Sequence, residues 1–208
     1  MKKMLLLMLL VLFTISVNAQ FSVGVRGGLN LSSIQKFEPF ELKSKASFHA
    51  GVFGRYMFDT SLGIESGIYY SALGGKYVDN SSDFELTLNP NYLQVPVSVL
   101  YGFKLGNDFT LFPAIGVYLG YGIGGKAKAK GLFLEDMEFS PSQDYFNEYN
   151  NRFDMGVIAG LHLQYKRVIL SAGYEQGFMK INKEQDEESG ANVNILNGNF
   201  RISLGFLF

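Results

Sequence analysis

Six charged residues sit in stretches that are otherwise apolar or glycine-rich. They are Arg26 in "FSVGVRGGLNL", Arg55 in "FHAGVFGRYMF", Glu65 in "LGIESGIYYSA", Asp154 in "FDMGVIAGLHLQY", Glu175 in "VILSAGYEQG" and Arg201 in "FRISLGFLF". In each stretch apolar residues occupy the alternate positions, and glycines crowd the charged face, as Gly24 and Gly28 do around Arg26. Three cations and three carboxylates on one kind of face permit two chemistries. They can form a proton or ion path or an enzyme centre, or they can neutralise one another inside a narrow interior. A buried charge has to be paired, and a small barrel is just filled by its own side chains. The expectation is therefore a structural ion-pair network in which Arg26, Arg55 and Arg201 meet Glu65, Glu175 and Asp154.

Other groups are weaker candidates. His49 and His162 share the charged face, and a histidine near Ser171 and Glu175 suggests a hydrolytic triad. Triads are defined by geometry rather than spacing, and no G-x-S-x-G elbow is present. Two histidines without a fixed carboxylate partner make a poor metal site, so no metal and no cofactor are expected. With no cysteine, thiolate sites and disulfides are excluded. Lys126, Lys128 and Lys130 in "GGKAKAKG" alternate and so share one face of a strand end, available to anionic head groups or surface polysaccharide. "KEQDEES", 183–189, reads as an acidic loop tip without a D-x-D-x-D-G cation loop. Phe133, Phe139, Tyr145, Phe146 and Tyr149 in the stretch 132–151 suit either a recognition surface or packing over an opening.

Period-two alternation dictates the elements that hold these residues. It recurs in eight stretches, the six above together with "YLQVPVSVLYGF" and "FTLFPAIGVYLGYGIG", and no helical pattern competes. Short links fall near 59–61, 105–108 and 166–167, and long ones near 32–46, 76–91, 125–151 and 182–196. The expected fold is all-β: an eight-stranded antiparallel up-and-down transmembrane β-barrel spanning 20–208. Pro96 and Pro113 lack an N–H and are expected at bulges or weakly paired strand ends.

Alternation alone does not say which face looks outward; composition does. A soluble barrel would carry many Lys and Glu outside, whereas charged residues are only 18% of this chain and aromatics are 15%. Tyr56, Phe58, Tyr101, Phe103 and Tyr165 fall near the short-link rim, and Tyr121 and Phe153 near the other, as two interfacial girdles would. Residues 1–19 read as a signal peptide: Lys2 and Lys3, an apolar run from Met4 to Val17, and a small-residue exit at Ala19. Without Lys2 and Lys3 the 18 basic residues fall to 16 against 19 acidic ones, a net charge of −3, which gives no reason to expect nucleic acid.

"NYLQVPVSVLYGFK", "FPAIGVYLGYGIGGK", "FDMGVIAGLHLQYK" and "LSAGYEQGFMKI", in that order, resemble the Bacteroidetes outer-membrane β-barrel group called porin family or PorT-like. The resemblance implies an outer-membrane barrel and carries no catalytic residues. It leaves three roles: structural, interactive or secretion-supporting; a narrow or gated channel; or a lipid-modifying enzyme. Expected partners are outer-membrane lipid, barrel-assembly machinery, and envelope or secretion proteins met through the loops. The terminal Phe206 and Phe208 resemble the signal read during barrel assembly. Deleting Phe208 is accordingly expected to lower membrane insertion more than it lowers the urea midpoint of barrel already folded. Equal insertion of the truncated chain would remove the signal reading.

Overall fold

The computed structural model of the chain describes residues 20–35, 43–79, 84–130, 145–146, 151–179 and 196–208. Residues 1–19, read above as a signal peptide, Phe133, Phe139, Tyr149 and the acidic stretch 183–189 lie outside them. The strands are β1 (Phe21–Gln35), β2 (Lys43–Met57), β3 (Leu62–Ala72), β4 (Gly75–Asp79), β5 (Phe84–Tyr101), β6 (Phe103–Lys104), β7 (Phe109–Lys130), β8 (Phe153–Tyr165), β9 (Val168–Gly177) and β10 (Leu196–Leu207). β4 continues β3 beyond Gly74 and β6 continues β5 beyond Gly102, so eight staves form the wall.

All pairings are antiparallel, and the first and last strands close the ring. β1 pairs with β2, from Phe21↔Tyr56 to Ser32↔Lys45, and on its other edge with β10, from Gly24↔Leu207 to Gln35↔Leu196. The circuit runs β1–β2–β3–β5–β7–β8–β9–β10 and back to β1. Short connections need compact turns. Asp59 accepts the backbone N–H groups of Ser61 and Leu62 at 2.6 and 2.7 Å through Oδ1. The N–H groups of Leu62 and Ser61 hold its carboxyl below the usual carboxylate range. Lys166 takes a left-handed backbone (φ 52°) in the two-residue link between β8 and β9.

Burial is inverted relative to a soluble protein. Leu29, Ile115 and Leu204 are 62, 69 and 62% exposed, while Arg55, Asp154 and Glu175 are 2, 3 and 2% exposed. The apolar side chains therefore form an outer belt and the charges an inner fill, the pattern of a membrane barrel. Aromatic rings bound the belt. Ring pairs Tyr56–Phe58 (5.3 Å), Tyr101–Phe103 (5.0 Å), Phe109–Tyr165 (4.7 Å) and Phe206–Phe208 (5.9 Å) stand at the short-turn rim. At the other rim Tyr121 pairs with Phe153 in register, and the Phe48 and Tyr70 rings are 5.5 Å apart.

Two expectations are corrected. The stretches 76–91 and 125–151 are not simply loops. β4 pairs with β5 from Gly75↔Leu88 to Asp79↔Phe84, and β7 continues to Lys130, opposite Glu85. β5 and β7 have 18 and 22 residues, well beyond the roughly 9–11 that cross a bilayer, so they stand above it. Their upper parts alternate in polar residues, which hides the strand from a search for apolar periodicity. Pro96 is not near a strand end. It faces Tyr118 in the middle of the β5–β7 ladder, and the β3–β5 ladder skips a step between Ser66↔Val97 and Tyr69↔Gln94. The missing N–H thus points to β3, where Ser66 Oγ donates to the Pro96 carbonyl at 2.8 Å. Pro113 lies, as expected, close to a strand end, between Leu100↔Ala114 and Phe103↔Leu111.

Ile115 sits midway between the two rims on β7 and is the most exposed of these belt residues. Ile115→Arg is expected to destabilise the folded barrel in lipid by about 2–4 kcal/mol, measured by denaturant unfolding in vesicles. No change would place this face away from hydrocarbon.

Candidate functional site

The interior is built in layers, and the strand alternation decides what enters each. Arg26 on β1, Arg55 on β2 and Glu65 on β3 project inward from three consecutive staves. Glu65 receives both arginines: Arg26 Nη1 reaches Oε1 at 2.7 Å and Nη2 reaches Oε2 at 3.2 Å, while Arg55 Nη2 and Nε reach Oε2 at 2.7 and 3.0 Å. The guanidiniums are also covered by rings, Arg26 4.3 Å from the Phe53 centroid and Arg55 4.7 Å from that of Phe112. Arg55 Nη1 donates its remaining bond to Gln164 Oε1 at 2.7 Å. This layer is a carboxylate shared by two cations, each held in a hydrogen-bonded and stacked seat.

The next layer is neutral and polar. His49 Nδ1 is 2.8 Å from Asn30 Oδ1 and Nε2 is 2.8 Å from Ser203 Oγ. Asn30 uses its amide nitrogen on the Ala72 carbonyl (2.8 Å) and on Ser71 Oγ (3.1 Å), so its oxygen is the acceptor and His49 donates from Nδ1. Arg201 pairs with Glu175 Oε1, and Asn199 Nδ2 donates to Glu175 Oε2 at 3.0 Å. Asp154 departs from the expected pairing. No arginine meets it among the described residues; Tyr118 OH and Asn197 Nδ2 both donate to its Oδ2, at 3.1 and 2.9 Å. The reason is register. Arg201 faces Gly173 on β9 beside Glu175, which stands opposite Asn199, and it is Asn197, further along β10, that reaches Asp154.

The six predicted charges thus form two ion-paired groups and one carboxylate held by neutral donors. Tyr118, Asn197 and Asn199 were missed. Their signal was present, because "NGNFR" continues the inward alternation Asn197, Asn199, Arg201. His162 does contact Ser171, Nδ1 to Oγ at 2.8 Å, but Glu175 is committed to Arg201 and Asn199, and the pair lines an internal cavity. That cavity is about 60 Å³, room for a few waters. Below it, at the short-turn rim, a vestibule of about 470 Å³ is lined by Arg55, Asp59, Lys104 and Gln164 among others.

The opposite mouth is capped. Tyr145 and Phe146 are 6 and 3% exposed and pack with Leu73 and Tyr92. The Phe146 and Tyr92 rings meet edge-on at 5.3 Å, and Arg152 Nη2 donates to the Phe146 carbonyl at 2.9 Å. Of the two readings of this aromatic stretch, packing over the opening is what these two residues do. Gly122 leaves the space: a Cβ there would lie 2.2 Å from the Phe146 ring.

Fold and interior together define an outer-membrane β-barrel with a filled lumen. A sequence model of the outer membrane protein beta-barrel domain matches residues 16–183, and the chain belongs to that family, in the cell outer membrane. Among solved structures, the chain is similar to Ail, the attachment invasion locus protein of Yersinia pestis (13% identity, 91% of this chain and 99% of that one, TM-score 0.47). It is also similar to OprG of Pseudomonas aeruginosa (13%, 91 and 96%, 0.47) and to Neisserial surface protein A (16%, 90 and 97%, 0.44). No curated protein matches in sequence.

Glu65→Gln would leave two buried guanidiniums sharing a neutral amide. The folded barrel is expected to lose about 3–5 kcal/mol, read from urea unfolding in detergent. A loss under about 1 kcal/mol would mean the layer is solvated rather than buried.

Proposed function

We propose that the protein is a closed, non-conducting barrel whose role is structural or interactive, exercised through the strand extensions and loops on its long-loop side. The observation that supports this most is the stacking of fills: the Arg26–Glu65–Arg55 layer, the Glu175–Arg201 layer and the Tyr145–Phe146 cap lie in series along one narrow bore. A solute would have to move all three. Eight staves leave an interior that side chains fill, whereas open porins use about sixteen.

Within this reading the PorT-like resemblance favours support of protein secretion, with envelope or secretion proteins as partners at the loops. The Phe206–Phe208 end serves as the signal for the barrel-assembly machinery. The chain is no enzyme, because His162 and Ser171 face a cavity of about 60 Å³ away from the lipid face and both Glu175 oxygens are engaged.

A gated channel is the second reading, favoured by the polar lining and by the vestibule of about 470 Å³ at the short-turn rim. Planar-bilayer recording separates the two. The wild-type barrel is expected to give no steady steps, and Phe146→Ala is expected to stay closed because the ionic layers below remain. Steady openings in the wild type would overturn the proposal in favour of the channel.

A further inference from the structure

Asp154 is the carboxylate with an unmet oxygen. Both oxygens of Glu65 are taken by Arg26 and Arg55, and those of Glu175 by Arg201 and Asn199. Asp154 is 3% exposed, both of its donors go to Oδ2, and Oδ1 receives no hydrogen bond among the described residues. The Met155 amide lies near enough to act on the carboxyl but makes no hydrogen bond to Oδ1. A buried ionised oxygen left this way is costly unless something positive meets it.

The surroundings of Oδ1 offer lone pairs. Gly177 has no side chain, and the point where its Cβ would stand is 3.0 Å from Asp154 Oδ1, 3.0 Å from Tyr118 OH and 3.2 Å from the Asn197 carbonyl oxygen. Three oxygens therefore converge beside the bare backbone of Gly177. Tyr118 has spent its one proton on Asp154 Oδ2 and presents lone pairs. The Asn197 carbonyl accepts one weak bond, from Gln176 Nε2 at 3.3 Å, and keeps a second lone pair. Gln94 adds a fourth oxygen at the same level. It is 1% exposed, its Oε1 has no donor, and it faces Asp154 across Gly120 in the register Gln94↔Gly120↔Asp154.

We propose that Asp154, Tyr118 and the Asn197 carbonyl, with Gln94 opposite, bind one small monovalent cation of the sodium class over Gly177. A cluster of acceptors calls for a cation, and an all-oxygen set calls for a hard one. A single carboxylate balances one positive charge, whereas calcium sites gather six to eight oxygens with several carboxylates. The surplus positive charge of the Arg26–Glu65–Arg55 group does not serve this oxygen. It lies in another layer, and its Arg55 lines the vestibule at the opposite rim. The Tyr92 ring lies directly above: the Cβ position of Gly120 is 3.5 Å from Tyr92 Cδ1 and 3.6 Å from Asp154 Cβ. The ion is therefore enclosed beneath the aromatic cap and is taken up as the barrel closes.

The test folds the full mature chain from urea into detergent micelles in sodium chloride or in N-methylglucamine chloride at equal ionic strength. The urea midpoint is then read as sodium is titrated. The wild type is expected to gain stability saturably with sodium, the unfolding equilibrium shifting about tenfold when sodium is ten times its Kd. Asp154→Asn, which removes the charge, and Gly177→Ala, which puts a methyl among the three oxygens, are expected to abolish the difference. Equal wild-type midpoints in the two salts would overturn the proposal, assigning the oxygens to water or a proton. Sodium dependence persisting in Asp154→Asn would overturn it too, placing the ion elsewhere. Should a variant fail to fold, the sodium retained by wild type folded in sodium chloride and then desalted decides, read by atomic emission. About one sodium per chain supports the site, and none rejects it.

Discussion

In hydrocarbon every backbone N–H and C=O must find a partner within the protein, because no water is there to supply one. That requirement closes β1 onto β10 and leaves no free edge between the aromatic girdles. The rest of the interior follows from the closure. Eight staves make a bore so narrow that whatever points inward must interdigitate. Large residues such as Phe53, Tyr69, Phe112 and Tyr118 fill it from some staves, and glycines at the facing positions give them room. Where the sheet must also tolerate a proline, the lost donor falls at a skipped step of the ladder beside Pro96, and Ser66 Oγ satisfies the Pro96 carbonyl there.

The same narrowness explains why the fill is ionic yet quiet. An arginine buried inside a barrel has to find most of its hydrogen-bond partners within the protein. Arg55 does so on Glu65 and Gln164 and lays its flat face on Phe112. Sharing one carboxylate between two guanidiniums costs some repulsion but ties three staves together at one point. Above it the neutral network of Asn30, His49, Ser71 and Ser203 bridges the two sides of the β1–β10 seam. The seam is thereby held from inside as well as by its own ladder.

Much of this was legible in the sequence because period two does two things at once. It separates the lipid face from the lumen face, and it puts Arg26, Arg55 and Glu65 on the lumen face before any pairing is known. Which charge meets which was not legible. Pairing depends on the stagger between neighbouring strands, which sets Asn199 opposite Glu175 and puts Arg201 at the next inward position, within reach of that carboxylate rather than of Asp154. The upper extensions were hidden for a different reason. "FELTLNP" and "KAKAK" are strand segments in which polar and small residues replace the apolar alternation, so the contrast that marks a membrane strand fades there. The cap was ambiguous because two aromatic residues in a polar stretch have no period. Only the empty flank of Gly122 selects where Phe146 goes.

β7 keeps β8 as its partner only as far as Tyr121 but stays paired with β5 up to Lys130. From Ile123 onward its other edge therefore carries no strand among the described residues; the Gly125 carbonyl is met by the Tyr145 N–H at 3.3 Å. Exposed edges of this kind invite a strand from a neighbouring molecule, and densely packed membrane proteins meet neighbours constantly. The sequence there has a lysine at every second place, 126, 128 and 130, and lysines along an edge strand are one of the devices by which proteins discourage edge-to-edge pairing. A basic repeat that looks like bait for an anionic ligand thus has the composition of a guard rail as well, the kind that keeps a half-paired wall from growing into its twin.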